Sequence, residues 1–234
     1  MIKKILSTLL VSSALFVFAT TGSMAERPTF AIGYQAAYGG YAASGQENEG
    51  ATDPQEIHTS TESGEFGYSS LFVEISFADR VTVGASWMAD EVETEMTSRT
   101  DAIAPGSAVM SGGTSNTGTS NVKAQFSNLT VGYVELNVWN GLYAKYGYME
   151  MDVDTLETLH TDSSYPNATM DGETYGVGWK GTFDNGVFIK TETMMQDWSD
   201  LKLTATGSTD TSNSNTVEAS LQGAVATISI GKAF

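Results

Sequence analysis

Apolar side chains recur at every second position along most of this chain, and clusters of Gly, Asn, Asp, Ser and Thr interrupt the alternation. A period of two places alternate side chains on opposite faces of a β-strand. The pattern predicts eight strands, over about 29–41, 66–78, 80–89, 122–138, 142–151, 173–183, 186–198 and 216–234. We therefore expect an all-β fold.

Two of the predicted strands change parity along their length. In the fourth strand the apolar set moves to the other face after Tyr133, and in the eighth it does so after Leu221. A β-bulge shifts the alternation by one residue and often contains glycine. Gly132 and Gly223 are therefore predicted bulge sites.

The connections between these strands alternate in length. Three are tight turns, at 78–80, 139–141 and 184–186, and the last two contain Asn-Gly pairs that favour type I′ hairpins. The other four connections are long, at about 44–65, 90–121, 154–172 and 199–215. In an up-and-down meander with an even strand number, all short turns share one end with both termini. This layout is typical of transmembrane β-barrels, and a soluble eight-stranded barrel with an apolar interior is the alternative.

The two faces of the strands differ in a way that favours the membrane alternative. One face carries the charged residues Glu74, Lys145, Lys180, Lys190 and Glu192. The other is apolar and has aromatic residues towards both ends: Phe30, Phe77, Phe183 and Phe234 near the short turns, and Tyr38, Tyr68, Trp87, Tyr148 and Tyr175 near the long loops. Two aromatic belts that flank an apolar band match a bilayer.

The N-terminal segment 1–25 has the pattern of a secretory signal peptide. Lys3 and Lys4 precede an apolar stretch over 5–19, and Ser23-Met24-Ala25 is a small-x-small cleavage site. We expect residues 1–25 to be removed on export and residues 26–234 to form one barrel domain. Removal of two lysines changes the formal charge from -17 to -19.

The C-terminal strand carries a family signature. It alternates up to a terminal Phe234, and Ile228, Ile230 and Phe234 share one face. Together with the signal peptide and the β-meander, this ending resembles the small bacterial outer-membrane β-barrel superfamily, similar in plan to OmpX and to the membrane domain of OmpA. The resemblance implies an eight-stranded transmembrane barrel in an outer membrane, contacts with outer-membrane lipid or lipopolysaccharide, and recognition of Ile228, Ile230 and Phe234 by the barrel assembly machinery.

Composition excludes several kinds of function. Net acidity argues against a nucleic-acid partner, and the lack of cysteine excludes thiolate chemistry and Cys-ligated metals. His58 and His160 are the two histidines, and neither lies in a recognisable catalytic motif. We expect no cofactor and no enzymatic activity.

The charged face predicts the state of the lumen. An eight-stranded barrel is about wide enough for side chains to fill it, and buried charges need partners. Glu74, Lys145, Lys180, Lys190 and Glu192 are therefore predicted to form an ion-pair network that plugs the barrel. A porin-like channel for small solutes is the alternative, and a lipid-modifying enzyme is a third. A structural or surface-interaction role is expected, and ten strands instead of eight stay open because segment 96–110 could also pair.

Two acidic triplets follow the predicted outer aromatic belt. They are Glu91, Glu93 and Glu95, and Glu150, Asp152 and Asp154. Strand parity predicts that both face outward, near lipid phosphates. Calcium and magnesium prefer oxygen ligands and can bridge carboxylates to phosphates, so a weak divalent-cation site is one hypothesis. A solvated acidic rim is the other.

Overall fold

The structure is a computed structural model and describes residues 28–49, 56–78, 80–103, 116–159, 164–206 and 215–234. The predicted signal peptide lies outside these residues. The described part contains eleven β-strands: β1 (Thr29–Glu49), β2 (Glu56–Phe77), β3 (Val81–Met88), β4 (Val92–Glu93), β5 (Thr97–Ile103), β6 (Asn116–Trp139), β7 (Leu142–Thr158), β8 (Ala168–Thr182), β9 (Val187–Trp198), β10 (Leu201–Thr204) and β11 (Thr216–Ala233). Among the described residues, no helix is long and apolar enough to cross a membrane.

Eight of these strands close into a barrel. The order around the ring is β1-β2-β3-β6-β7-β8-β9-β11, every pairing is antiparallel, and β11 pairs with β1 to complete the circuit. The predicted eight-stranded up-and-down barrel is confirmed. Segment 97–103 does pair, as β5 on β6, but β4, β5 and β10 lie outside the ring and add no strand to it.

The tight turns differ from one another in detail. Asn140 and Gly141 both have positive φ, 46° and 81°, which is the predicted type I′ hairpin. In the turn at 184–186 only Gly186 has positive φ, 79°, and its N–H donates to the Phe183 carbonyl at 2.8 Å. This is a type I turn followed by a left-handed glycine, so the type I′ prediction was wrong there.

Both predicted bulge sites were wrong. The register of β6 against β7 shifts between Ser127 and Thr130, and Asn128 has a φ of 55°. The bulge therefore lies upstream of Gly132, and inward and outward residues alternate without interruption from Leu129 to Leu136. A second register shift lies between Asn137 and Trp139. Pairing through Gly223 is continuous on both sides. The sequence suggested a change of face because the inward side chains themselves change from apolar near the long loops to polar or small near the short turns.

The outer face of the barrel is apolar. Large exposed side chains cover it on every side: Ile32, Tyr34, Leu71, Val73, Ile75, Leu136, Val138, Tyr146, Val177, Trp179, Ile228 and Ile230. Of the predicted belt aromatics, Phe30, Phe183, Phe234, Tyr38, Trp87 and Tyr175 are exposed on this face. The prediction that Tyr68 belongs to the outer belt was wrong, because Tyr68 faces inward and packs against the buried cluster around Met149. An apolar exterior around a charged interior is the distribution of a transmembrane β-barrel.

Beyond the ring, the sheet continues as two extensions. The first extension consists of β10 and of those parts of β11, β1 and β2 that lie beyond the ring. The second consists of β4 and β5 together with those parts of β6 and β7 that lie beyond the ring. On one side, segment 164–165 links them. Ser164 pairs with Thr206 next to β10, and the Tyr165 hydroxyl donates to Glu47 of β1 at 2.9 Å. The Tyr165 N–H also donates to Glu157 of β7, whose pKa is raised by burial.

The Asn140-Gly141 turn gives a test of the fold. A β-carbon at Gly141 would lie 2.3 Å from the Lys180 carbonyl oxygen, and its backbone is left-handed. We expect Gly141→Ala to lower the free energy of unfolding in lipid vesicles by about 1–2 kcal/mol or more, because L side chains disfavour this conformation. Gly132→Ala is the matched control, since a β-carbon there meets nothing within 4 Å. Equal stability of the two variants would contradict the assigned turn.

Candidate functional site in the barrel lumen

Six charged side chains meet inside the barrel. They come from five strands and are Glu74, Glu135, Lys145, Lys180, Lys190 and Glu192. All five predicted lumen residues are in this set. Each lies at an inward position of its strand, and the antiparallel registers bring those positions to one level. We call these six residues the lumen cluster. Its three lysines and three glutamates carry no net formal charge.

Lys190 is the centre of the lumen cluster. Its Nζ lies 2.6 Å from Glu74 Oε1 and 3.5 Å from Glu192 Oε1, and it also bonds Glu135 Oε1. Its side chain is 2% exposed, and the three carboxylates around it are each at most 4% exposed. One ammonium group therefore holds three carboxylates from three different strands.

The other two lysines complete the cluster at its sides. Lys145 Nζ lies 3.0 and 3.1 Å from the two oxygens of Glu192 and 3.7 Å from Glu135 Oε1. Lys180 Nζ is 3.6 Å from Glu74 Oε2, and its side chain is 23% exposed. Lys180 is therefore the peripheral member, with one ion pair and partial access to solvent.

Hydroxyl groups and aromatic rings complete the coordination of the charges. Tyr143 donates to Glu192 at 2.6 Å, Thr227 donates to the same carboxylate at 3.1 Å, and Tyr133 donates to Glu74 at 2.9 Å. The Lys145 ammonium lies 3.8 Å from the centre of the Tyr133 ring, a cation–π geometry. Glu192 and Glu74 thus each have at least two donors, whereas Glu135 has Lys190 as its hydrogen-bond donor and Lys145 as a second cation at 3.7 Å. Such partners are what burial of a charge requires.

Glycines opposite the tyrosines make this packing possible. A β-carbon at Gly84 would lie 2.5 Å from the Tyr133 ring, and one at Gly178 would lie 2.5 Å from the Tyr143 ring. The absence of a side chain at these inward positions leaves the volume that the neighbouring ring fills. The repeated glycines on the polar face therefore serve the packing of the lumen.

Sequence reasoning missed three participants, Glu135, Tyr133 and Tyr143. Glu135 lies between Val134 and Leu136 in a strand whose outer face is apolar, and that pattern is the signal that could have found it. Without Glu135 the predicted lumen holds three lysines and two glutamates. With it the charges balance.

The lumen is packed on both sides of the cluster. Towards the short turns, the rings of Phe72 and Phe188 lie 6.1 Å apart and are both buried. Towards the long loops lies a buried apolar cluster: Met88, Leu129, Val131, Tyr133, Met149, Met151, Val153, Met170 and Trp198. A cavity of about 10 Å³ between Ser70, Lys145 and Gln196 has room for about one water molecule.

The first acidic triplet lies on β4 and the residues flanking it. Glu91 accepts a hydrogen bond from Gln125, and Glu93 forms an ion pair with Lys123. Glu95 is exposed. Because Val92 packs inward, Glu91 and Glu93 face outward, as parity predicts.

The second triplet lies on β7, across one strand from the first. Asp152 accepts hydrogen bonds from Asn128 and Thr169 at 3.0 Å each, and Asp154 is paired in register with Gln125. Glu150 precedes the buried Met151 and also faces outward. Strand β6 separates the two triplets, and the described residues contain no group of three or more acidic, histidine or cysteine side chains that could hold a metal ion. Divalent-cation binding stays a prediction.

The remaining predicted residues lie at the periphery. Ile228, Ile230 and Phe234 are all exposed on the outer face, and the Phe234 N–H donates to the Phe30 carbonyl at 2.8 Å. His58 falls within β2, and His160 lies outside the described residues.

Comparison with known proteins gives structural likenesses only. No family model matches the chain, and no curated protein matches it. The outer membrane protein OprG from Pseudomonas aeruginosa shows 11% identity over 86% of this chain and 96% of its own, with a TM-score of 0.48. The outer membrane protease OmpT from Escherichia coli shows 8% identity over 87% and 97%, with a TM-score of 0.45. Ail, the attachment invasion locus protein of Yersinia pestis, shows 12% identity over 83% and 98%, with a TM-score of 0.27.

The lumen cluster predicts unequal effects of removing its lysines. Lys190→Met leaves buried carboxylates without their central cation, so we expect a loss of about 3–5 kcal/mol in the free energy of unfolding. Lys180→Met removes one partly exposed pair, and about 1 kcal/mol or less is expected. Urea unfolding in lipid vesicles, followed by tryptophan fluorescence, measures both. Equal losses would contradict the central position of Lys190.

Proposed function

We propose that this protein is an outer-membrane β-barrel with a closed lumen, and that its role is structural or one of surface interaction. The observation that carries the proposal is the lumen cluster. It joins β2, β6, β7, β8 and β9 across the interior through side chains that, Lys180 apart, are almost fully buried. A passive pore would instead keep these charges apart, around open water.

The location in an outer membrane is supported by the exterior of the barrel. A band of exposed leucine, isoleucine and valine surrounds the ring, and aromatic residues lie at both of its ends. Such a surface is stable in hydrocarbon and unfavourable in water. The short turns then face the periplasm, and the two extensions face the cell exterior and contact outer-membrane lipid or lipopolysaccharide at their base.

Assembly through the C-terminal strand is supported by the exposure of its signature. Ile228, Ile230 and Phe234 remain on the outer surface, although β11 pairs with β1 and β9 along its length. A surface of this kind is accessible to the barrel assembly machinery before the ring closes.

Single-channel recording in planar bilayers tests the closed lumen. We expect no steady conductance on the nanosiemens scale from the wild-type protein, because the cluster and the aromatic and methionine layers occupy the lumen. The double variant Glu74→Ala/Lys190→Ala, which removes a central pair without changing net charge, should open more often. A steady wild-type conductance would favour the porin-like alternative.

Phe234 tests the assembly signal. We expect Phe234→Ala to lower the fraction of protein that the barrel assembly machinery folds into proteoliposomes, measured by heat-dependent gel mobility. Phe183→Ala is the matched control, because Phe183 is also an exposed aromatic near the short turns but lies outside the C-terminal strand. Equal yields from the two variants would contradict a signal at the terminus.

A further inference from the structure

Above the lumen cluster, the two extensions enclose a cavity of about 610 Å³. We call it the vestibule. Inward-facing aromatic and aliphatic side chains line much of it, among them Tyr41, Phe66, Tyr68, Phe126, Trp198 and Leu221. Lysine and glutamate dominate the lumen further down, so the character of the interior changes along the barrel axis.

The floor of the vestibule is closed. Met88, Leu129 and Met151 line its base and are nearly fully buried in the cluster around Met149. The lumen cluster lies beneath them. A molecule that enters the vestibule therefore reaches a blind end rather than a route through the barrel.

The walls are asymmetric. On one side segment 164–165 joins the two extensions, through bonds to Thr206 and Glu47 of the first and to Glu157 of the second. On the other side the register pairing of β2 with β3 ends at Ser70 and Met88, and beyond this point β2 pairs only with β1 while β4 and β5 pair only with β6. Among the described residues, the hydrogen-bonded sheet is therefore interrupted between β2 and β4–β5, beyond the bonds of Ser69 with Ala89 and Asp90.

The empty volume of the vestibule distinguishes it from an ordinary protein core. Protein interiors are packed densely, and few of their voids exceed one water molecule. The apolar side chains of the vestibule leave several hundred cubic ångströms between them, a size typical of pockets for small molecules. Methionines in its floor are flexible and polarisable, and suit ligands of varied shape.

The charged side chains around the vestibule indicate which ligands it can bind. Glu62 and Glu95 border the vestibule, and Glu65 and Glu93 lie at its edge with their side chains on the outer face, where Glu65 accepts a hydrogen bond from Tyr38 and Glu93 pairs with Lys123, the one cation at the border among the described residues. These carboxylates would repel an anion at the entrance. We propose that the vestibule binds a small apolar molecule that carries no negative charge. This inference goes beyond the closed-barrel role, which does not require a ligand.

Trp198 provides a direct reporter, because it lines the vestibule, whereas Trp87, Trp139 and Trp179 are exposed on the outer surface. The test uses the variant Trp87→Phe/Trp139→Phe/Trp179→Phe in lipid nanodiscs, titrated with 6-bromo-1-hexanol or with 6-bromohexanoate. The two probes have the same chain length and the same bromine quencher, and differ in charge. We expect saturable quenching of Trp198 by the alcohol and at least about tenfold weaker apparent affinity for the carboxylate, equal to about 1.4 kcal/mol.

The control is a variant in which a larger side chain fills the vestibule. Ala124 lines the cavity, so Ala124→Phe on the same background should abolish saturable quenching. Ala226→Phe, on the exposed outer face, should leave it unchanged. An unshifted Trp198 emission maximum shows that each variant retains the fold. Non-saturable quenching, equal affinity for the two probes, or binding that survives Ala124→Phe in a folded barrel would overturn the proposal.

Discussion

The contact of one buried ammonium group with three carboxylates organises this barrel. Lys190 meets Glu74, Glu135 and Glu192, which lie on three strands that are far apart in the sequence. Removing six charges from water is unfavourable unless each finds partners, and here lysines, tyrosine hydroxyls and Thr227 supply them. The strand registers of the ring bring the six side chains together, and the equal numbers of positive and negative charges in turn make their burial inside the ring possible.

The polar groups in the lumen account for the apolar outer face of the barrel. Because polar groups occupy the lumen near the short turns, the apolar half of each strand must face out, and a bilayer is the environment in which that surface is stable. The interior is nevertheless not uniform. Apolar side chains take over the inward positions towards the long loops, and there the sheet divides into two extensions that leave a vestibule between them.

Much of this fold could be predicted from the sequence because its main signals are local. Alternation gave the eight ring strands, and the Asn140-Gly141 pair identified one turn correctly. The errors had a common cause. The pattern predicts bulges at Gly132 and Gly223 only if the apolar residues of a strand share one face, whereas in β6 and β11 the inward face is itself apolar above the cluster. The true bulge at Asn128 carries no glycine, and the vestibule depends on pairings between distant segments.

Sequence reasoning predicts five of the six members of the lumen cluster and misses the sixth, Glu135. The charged side chains on the polar face were identified as partners, but the third carboxylate, Glu135, and the two tyrosines depend on the registers of neighbouring strands, which alternation does not determine. A double-mutant cycle on Lys190→Met and Glu135→Gln tests the central claim most directly. In a dry, closed cluster the two losses of unfolding free energy should be non-additive by about 0.5–3 kcal/mol. Additive losses would show that water screens the pair, and would contradict a closed lumen.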